Sequence, residues 1–349
     1  MIAAAPGKLI LLGEYAVLEG AAALVMAVNR FAKVKLTSDS LQRGCLVSAP
    51  VLNVQNLKFE ISPEQEVIFP PEISSHVRQQ MHFFSETVQY ALTHKLYRQA
   101  TEGVHFHLDT ADFFLPDSGE KAGLGSSAAL TTALLAALSS ASDTALSPEA
   151  LFPAALQAHH HAQGKIGSGI DVAASVFGGI CRFQKRGPGR PQVQAVSIPA
   201  GLHFICIWSG RSASTRDLVL RVSQYKESHR ENYFKIIGQM SETAELGFQH
   251  LQQNQWPQFL QALNEYGRLM DSLGKSSGTD IFSESHQEIA ELVQSAGGVY
   301  KPSGAGGGDI GIAVTDSTET ARAIVGKVLH SKYKIINLDP AANGVTLNQ

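Results

Sequence analysis

Short apolar runs at residues 9–12, 22–28 and 31–36, broken by Gly13-Glu14 and Asn29-Arg30, open the chain. Runs of this length between turn residues predict strands, so the chain begins as a β-rich layer. Further strands are expected at 45–48, 57–61 and 104–109. Between the last two, residues 74–98 are polar on one face and long enough for a single amphipathic helix. Helices then dominate, over 126–140 and 147–163, with a shorter one opening near Asp171 and a strand at 179–184 behind it. The basic, proline- and glycine-rich stretch 185–191 reads as an exposed hairpin or linker. After it come a buried strand at 202–208 and helices over 214–224, 230–253, 256–273 and 283–296. A βαβ-like ending has strands near 299–301, 309–314 and 334–338 around a helix at 318–329. No repeat of solenoid period is visible.

The length of 349 residues exceeds what one core usually supports, so two domains are expected, 1–190 and 191–349. Twenty-eight basic against thirty-one acidic residues leave a net charge of −3, which argues against nucleic acid or a membrane surface as the main partner. Cys45, Cys181 and Cys206 are far apart, so neither a disulfide framework nor a zinc site is expected, and a reducing cytoplasmic setting fits. Lys8, Glu14 and Glu19 interrupt the apolar N-terminal stretch, which reads as mature protein, not as a signal peptide. The uncharged run 122–142 approaches membrane-spanning length, but its glycine, serine and threonine content suits a helix inside a protein core.

The most informative stretch is Lys121-Ala-Gly-Leu-Gly-Ser-Ser-Ala-Ala129, a glycine-rich turn that empties into an alanine-rich helix. Glycines let backbone approach an anion, and the first N–H groups of the helix point at it. Lys121 adds a cation; Gly123, Leu124, Gly125 and Ala128 shape the cradle. The hydroxyls of Ser126 and Ser127 are oxygen donors for a nucleotide triphosphate and its Mg²⁺. The same letters fit a dinucleotide fingerprint, but a polar, proline-interrupted loop precedes them and no acidic residue ends a second strand about twenty residues on. No P-loop motif occurs. A plain helix cap with small packing residues is the other reading.

Three further stretches add chemistry. In Pro6-Gly-Lys-Leu-Ile-Leu-Leu-Gly-Glu-Tyr15, Lys8 stands where its ammonium could reach a phosphate, or merely flank a core strand. Lys301-Pro-Ser-Gly-Ala-Gly-Gly-Gly-Asp309 spends four glycines, which suits close approach to a ligand more than a free turn. In Ala162-Gln-Gly-Lys-Ile-Gly-Ser-Gly-Ile-Asp-Val-Ala173, Lys165 and Asp171 form a natural catalytic couple, although Asp171 alone would read as a helix cap. His159, His160 and His161 face different ways on a helix and cannot share one metal through a single face, though one could look into the site.

These stretches, in this order and spacing, resemble the three motifs of the GHMP kinases. The resemblance implies a two-domain α+β fold, with an N-terminal half like ribosomal protein S5 domain 2 and a ferredoxin-like C-terminal half. It also implies ATP and Mg²⁺ at the middle motif, small-molecule acceptors, and a monomer or homodimer. Within the family the details are most similar to the phosphomevalonate kinases, including Trp208-Ser-Gly-Arg-Ser-Ala-Ser-Thr-Arg-Asp-Leu-Val219. Mevalonate kinases usually carry a metal-binding glutamate eleven residues before the motif aspartate, where this chain has His160. The expected activity is transfer of a phosphoryl group from ATP to 5-phosphomevalonate. On that expectation Lys8, Lys165, Arg211 and Arg216 gather the phosphates, and Ser168, Gly169, Ser212, Ser214, Ser303, Gly304, Ala305 and Gly306 line the acceptor side. The alternatives are a mevalonate or sugar kinase, or a catalytically silent relative that senses a phosphometabolite.

Overall fold

The computed structural model describes residues 1–38, 44–98, 103–115, 117, 119–142, 144–164, 167–187, 189–197, 199–340 and 343–348. The first half supplies strands β1 (Ile2–Leu12), β2 (Ala23–Ser38), β3 (Cys45–Ala49), β4 (Val54–Ile61), β5 (Val67–Ile68) and β6 (Val104–Asp109). Helices α1 (Ser75–Gln80) and α2 (His82–Thr93) precede β6; α3 (Ser126–Ala141), α4 (Pro148–Ala162) and α5 (Ile170–Phe177) follow it. Strands β7 (Ile180–Gln184) and β8 (Gln192–Val196) complete this part. The second half holds β9 (His203–Trp208), α6 (Thr215–Ser228), α7 (Arg230–Gln252), α8 (Trp256–Ser277) and α9 (Glu284–Gln294). It ends in β10 (Val299–Pro302), β11 (Ile310–Thr315), α10 (Thr318–Leu329), β12 (Lys334–Ile336) and β13 (Thr346–Asn348).

The first sheet runs β13-β1-β2-β6-β3-β4-β5, with β7 on β2 and β8 on β7. Its helices pack in one layer, α3 and α5 against β1 and β2, with α2 and α4 alongside α3. Helix α3 is apolar on nearly every side and its alanines allow close approach, so it is the core helix expected from the uncharged run. Among the described residues no helix is long and apolar enough to cross a membrane. The second sheet, β10-β11-β9-β12, is antiparallel throughout and has the strand order of a βαββαβ ferredoxin-like unit. Helices α9 and α10 close a separate apolar cluster on it, with Ile289, Val293, Ile324 and Val328 inside. The paired helices α7 and α8 touch both lobes: a side chain at Gly247 of α7 would strike Leu12 at the end of β1. All three cysteines are buried and form no disulfide among the described residues.

Two expectations are corrected. Asn29-Arg30 is not a turn, because β2 continues through it as a bulge and Pro6 and Gly7 pair with Phe31 and Val28. The bulge is held from far away, Asn29 bonding Asp339 and Arg30 the carbonyl of Asn337. The single helix over 74–98 is two helices meeting at Met81, whose buried side chain turns into the core. Of the two readings of the 185–191 stretch, the hairpin holds, since β8 pairs back on β7 within the first sheet. Strand β13 also returns to the first sheet.

Candidate active site

Strand β1 carries the first motif, and the second is zipped onto it. The Lys8 N–H donates to Leu124 O at 2.9 Å, and the Lys8 ammonium donates to Gly123 O at 3.1 Å. Lys8 is only 6% exposed, so its charge sits inside the glycine turn instead of trailing in water. Gly125 caps α3 in the left-handed region, φ 78°, and no side chain caps the helix. The first N–H groups of α3 therefore face outward beside a cation, the arrangement that binds anions. A Cβ on Gly125 would lie 3.1 Å from Lys8 Cγ and 3.5 Å from Asp171 Oδ2, so lysine, turn and aspartate are in mutual reach.

Asp171 stands in the first turn of α5, which follows Gly169. The Ile170 N–H bonds Ser168 Oγ at 3.3 Å and pins the turn. In the helix ahead, His159 Nε2 lies 3.1 Å from Ser127 Oγ. Burial pushes the His159 imidazole down to about 4, with the Asp171 charge opposing that shift. His160 is also lowered by burial and turns toward Gly169, while exposed His161 pairs with Glu86. Leu124 and Ala128 are buried anchors; the Ser126 hydroxyl bonds no described residue. Lys121 is exposed, its ammonium over the Phe114 ring.

The third motif closes on the first. Lys301 is buried against Glu14, Tyr15 donates its hydroxyl hydrogen to Ala305 O, and a Cβ on Gly304 would be 3.9 Å from Lys8 Nζ. Gly306 packs on the carbonyl of Ile281. Ser303 is engaged by β1: it accepts from the Ile10 N–H at 2.9 Å and donates to Ile10 O at 3.1 Å. Asp309, which ends this motif, reaches the second one; a Cβ on Gly123 would stand 2.8 Å from its Oδ2. Burial raises the Asp309 carboxyl, opposed by the Ala213 N–H it accepts and by the Lys8 charge.

The structure thus brings Lys8, Gly123, Gly125, Asp171, Ser127 and Gly304 together. Arg211 is on the rim, 2.5 Å from Asp280 in an exposed ion pair. Ser212 reaches the Lys121 carbonyl at 3.5 Å, Ser214 caps α6 by accepting from Asp217 N, and Arg216 is exposed in the first turn of that helix. Lys165 lies outside the described residues. Glu14 and Asp309 stood inside their motifs without a role assigned, and His159 is the one of the three histidines that meets the second motif; only the fold sets their partners beside them.

The GHMP kinases N terminal domain model matches residues 84–179, and the GHMP kinases C terminal model matches 248–335. The chain is similar to a phosphomevalonate kinase of Streptomyces sp. strain CL190, 26% identical over 92% of this chain and 91% of that one. It is also 31% identical to a mevalonate kinase of Archaeoglobus fulgidus over 68% of each chain. The solved Lin0012 protein from Listeria innocua has the same fold, with a TM-score of 0.86 at 24% identity over 99% of both chains. With both halves matched in chain order around one lysine-filled glycine turn, this chain belongs to the GHMP kinases.

Proposed function

We propose that this kinase transfers the γ-phosphoryl group of ATP to 5-phosphomevalonate, giving 5-diphosphomevalonate and ADP in the mevalonate route to isoprenoids. The observation that carries the reading is the Lys8 ammonium seated 3.1 Å from the Gly123 carbonyl, with Asp171 reaching the same turn. A nucleotide's phosphates fit the uncapped start of α3, where the left-handed Gly125 leaves space that a side chain would fill. Mg²⁺ fits the free Ser126 hydroxyl, or Ser127, with phosphate oxygens and water; when bound it neutralises charge shared by the β- and γ-phosphates.

In this mechanism an oxygen of the acceptor phosphate forms a bond to the γ-phosphorus while the bond to the β,γ-bridging oxygen breaks. The pair in the broken bond leaves with ADP. A phosphomonoester has a second pKa of about 6, so near neutral pH no proton need be removed and cations do the work of bringing two anions together. Lys8 is the central cation and Asp171 fixes its surroundings. Lys165, Arg211 and Arg216 gather the acceptor, with Ser168, Ser212 and the Gly304–Gly306 backbone on its side of the cleft. We place the working division between lobes in the connection from β8 to β9.

Mevalonate is the second candidate acceptor, supported by the Archaeoglobus relative. The test offers the purified protein ATP and Mg²⁺ with each acceptor in turn. ADP release that requires 5-phosphomevalonate is expected; release with mevalonate alone overturns the substrate assignment.

A further inference from the structure

We propose that His159 is a positioning residue: it donates its Nε2–H to Ser127 Oγ and so leaves the Ser127 hydroxyl hydrogen free to donate to a phosphate oxygen of the nucleotide. The inference deepens the kinase reading above and rests on it.

His159 lies on α4, is 3% exposed, and stacks on Phe83 with ring centroids 5.5 Å apart. Its Nε2 is 3.1 Å from Ser127 Oγ, while its Nδ1 is buried without a partner. Those two facts select the tautomer. A buried N–H donor without an acceptor is rarer and costlier than a buried lone pair without a donor. The proton therefore sits on Nε2, and Ser127 is the acceptor in this bond. A hydroxyl has one hydrogen to give and two lone pairs. With one lone pair taken by His159, its hydrogen is free beside the uncapped N–H groups of α3, where an anion is held. The Ser126 hydroxyl, which bonds no described residue, is then the oxygen left for the metal ion. The three consecutive histidines divide accordingly: His161 pairs with Glu86 at the surface, His160 faces Gly169, and His159 serves α3.

The test compares His159→Leu, which removes the donor, with His159→Gln, whose amide N–H reaches a similar place, and with Ser127→Ala. Affinity for a non-hydrolysable ATP analogue and the KM for ATP are measured beside kcat and thermal melting. His159→Leu is expected to weaken nucleotide binding about 10-fold or more at little change in kcat, His159→Gln to restore most of it, and the double variant with Ser127→Ala to be no worse than Ser127→Ala alone. Nitrogen-15 NMR of the wild-type imidazole is expected to show the proton on Nε2, a readout independent of how the variants fold. A proton on Nδ1, or unchanged analogue affinity in a folded His159→Leu protein, overturns the proposal. Wild-type protein that binds the analogue but phosphorylates neither acceptor refutes the function proposed above and leaves this inference standing.

Discussion

Glu14 and Lys301 are 287 positions apart in the chain, yet their charged atoms meet at 2.5 Å with 2% and 1% of the side chains exposed. The pair fastens the end of β1 to the start of the third motif. Lys301 also donates to Pro302 O at 2.7 Å, and the Gly304 N–H donates to Glu14 Oε1 at 3.3 Å. Burial lowers the Lys301 ammonium and the Glu14 charge opposes that shift. Removing one partner strands the other charge in the interior, at a cost of about 3–5 kcal/mol. Glu14→Gln and Lys301→Met are each expected to lose that much in denaturant unfolding, and the double variant Glu14→Gln/Lys301→Met to recover a large part. A Lys301→Met protein as stable as wild type would contradict this.

Lys8 and Asp171 differ in what they do for a transferring phosphate. The lysine supplies charge at the turn, so Lys8→Ala is expected to lower kcat by about 10²–10³-fold. Asp171 acts through its neighbours when the acceptor is already ionised, and Asp171→Asn is expected to cost about 10-fold. Steady-state kinetics with 5-phosphomevalonate check the order. A larger loss for the aspartate variant would point to a base, and hence to a hydroxyl acceptor.

Ser303 spends both its hydrogen and a lone pair on Ile10. Ser303→Ala leaves a buried N–H and C=O of β1 without that partner, so unfolding free energy is expected to fall by about 1–3 kcal/mol. Calorimetry checks this. If melting is unchanged while the acceptor KM rises, the hydroxyl serves the substrate instead.

His286 is fully buried behind the third motif, 2.8 Å from the Tyr300 hydroxyl and 3.0 Å from Gly308 O. Burial holds its imidazole down to about 4, against a usual 6.5. The unfolded chain therefore binds a proton that the folded one refuses between those values. The stability it contributes is complete above pH 6.5 and is lost as pH falls toward 4, by up to about 3 kcal/mol. Urea unfolding of His286→Gln is expected to show a flatter pH dependence over that window. An unaltered slope would mean that the imidazole titrates alike in both states.

The glycine-rich stretches were legible because their composition is costly without a ligand, and most helices because their apolar spacing is regular. Long-range contacts were not. The bulge at Asn29 depends on Asp339, and nothing near residue 29 announces it. The break at Met81 involves neither proline nor glycine; core packing of one side chain decides it. In the site, the types and order of Lys8, Asp171 and the turn were readable, whereas the diversion of Ser303 to Ile10 and of Arg211 to Asp280 follows from the meeting of the lobes. Which of the three histidines meets the site, and what Glu14 does, were not readable because their partners are distant in sequence.

The outermost strand of the first sheet, β13, pairs Asn348, Leu347 and Thr346 with Ile2, Ala3 and Ala4. During translation the earliest lobe must wait, with that border open and ready to stick to other chains, until the ribosome has released residues near 348. The sheet of the first lobe is thus completed by residues that follow those of the second.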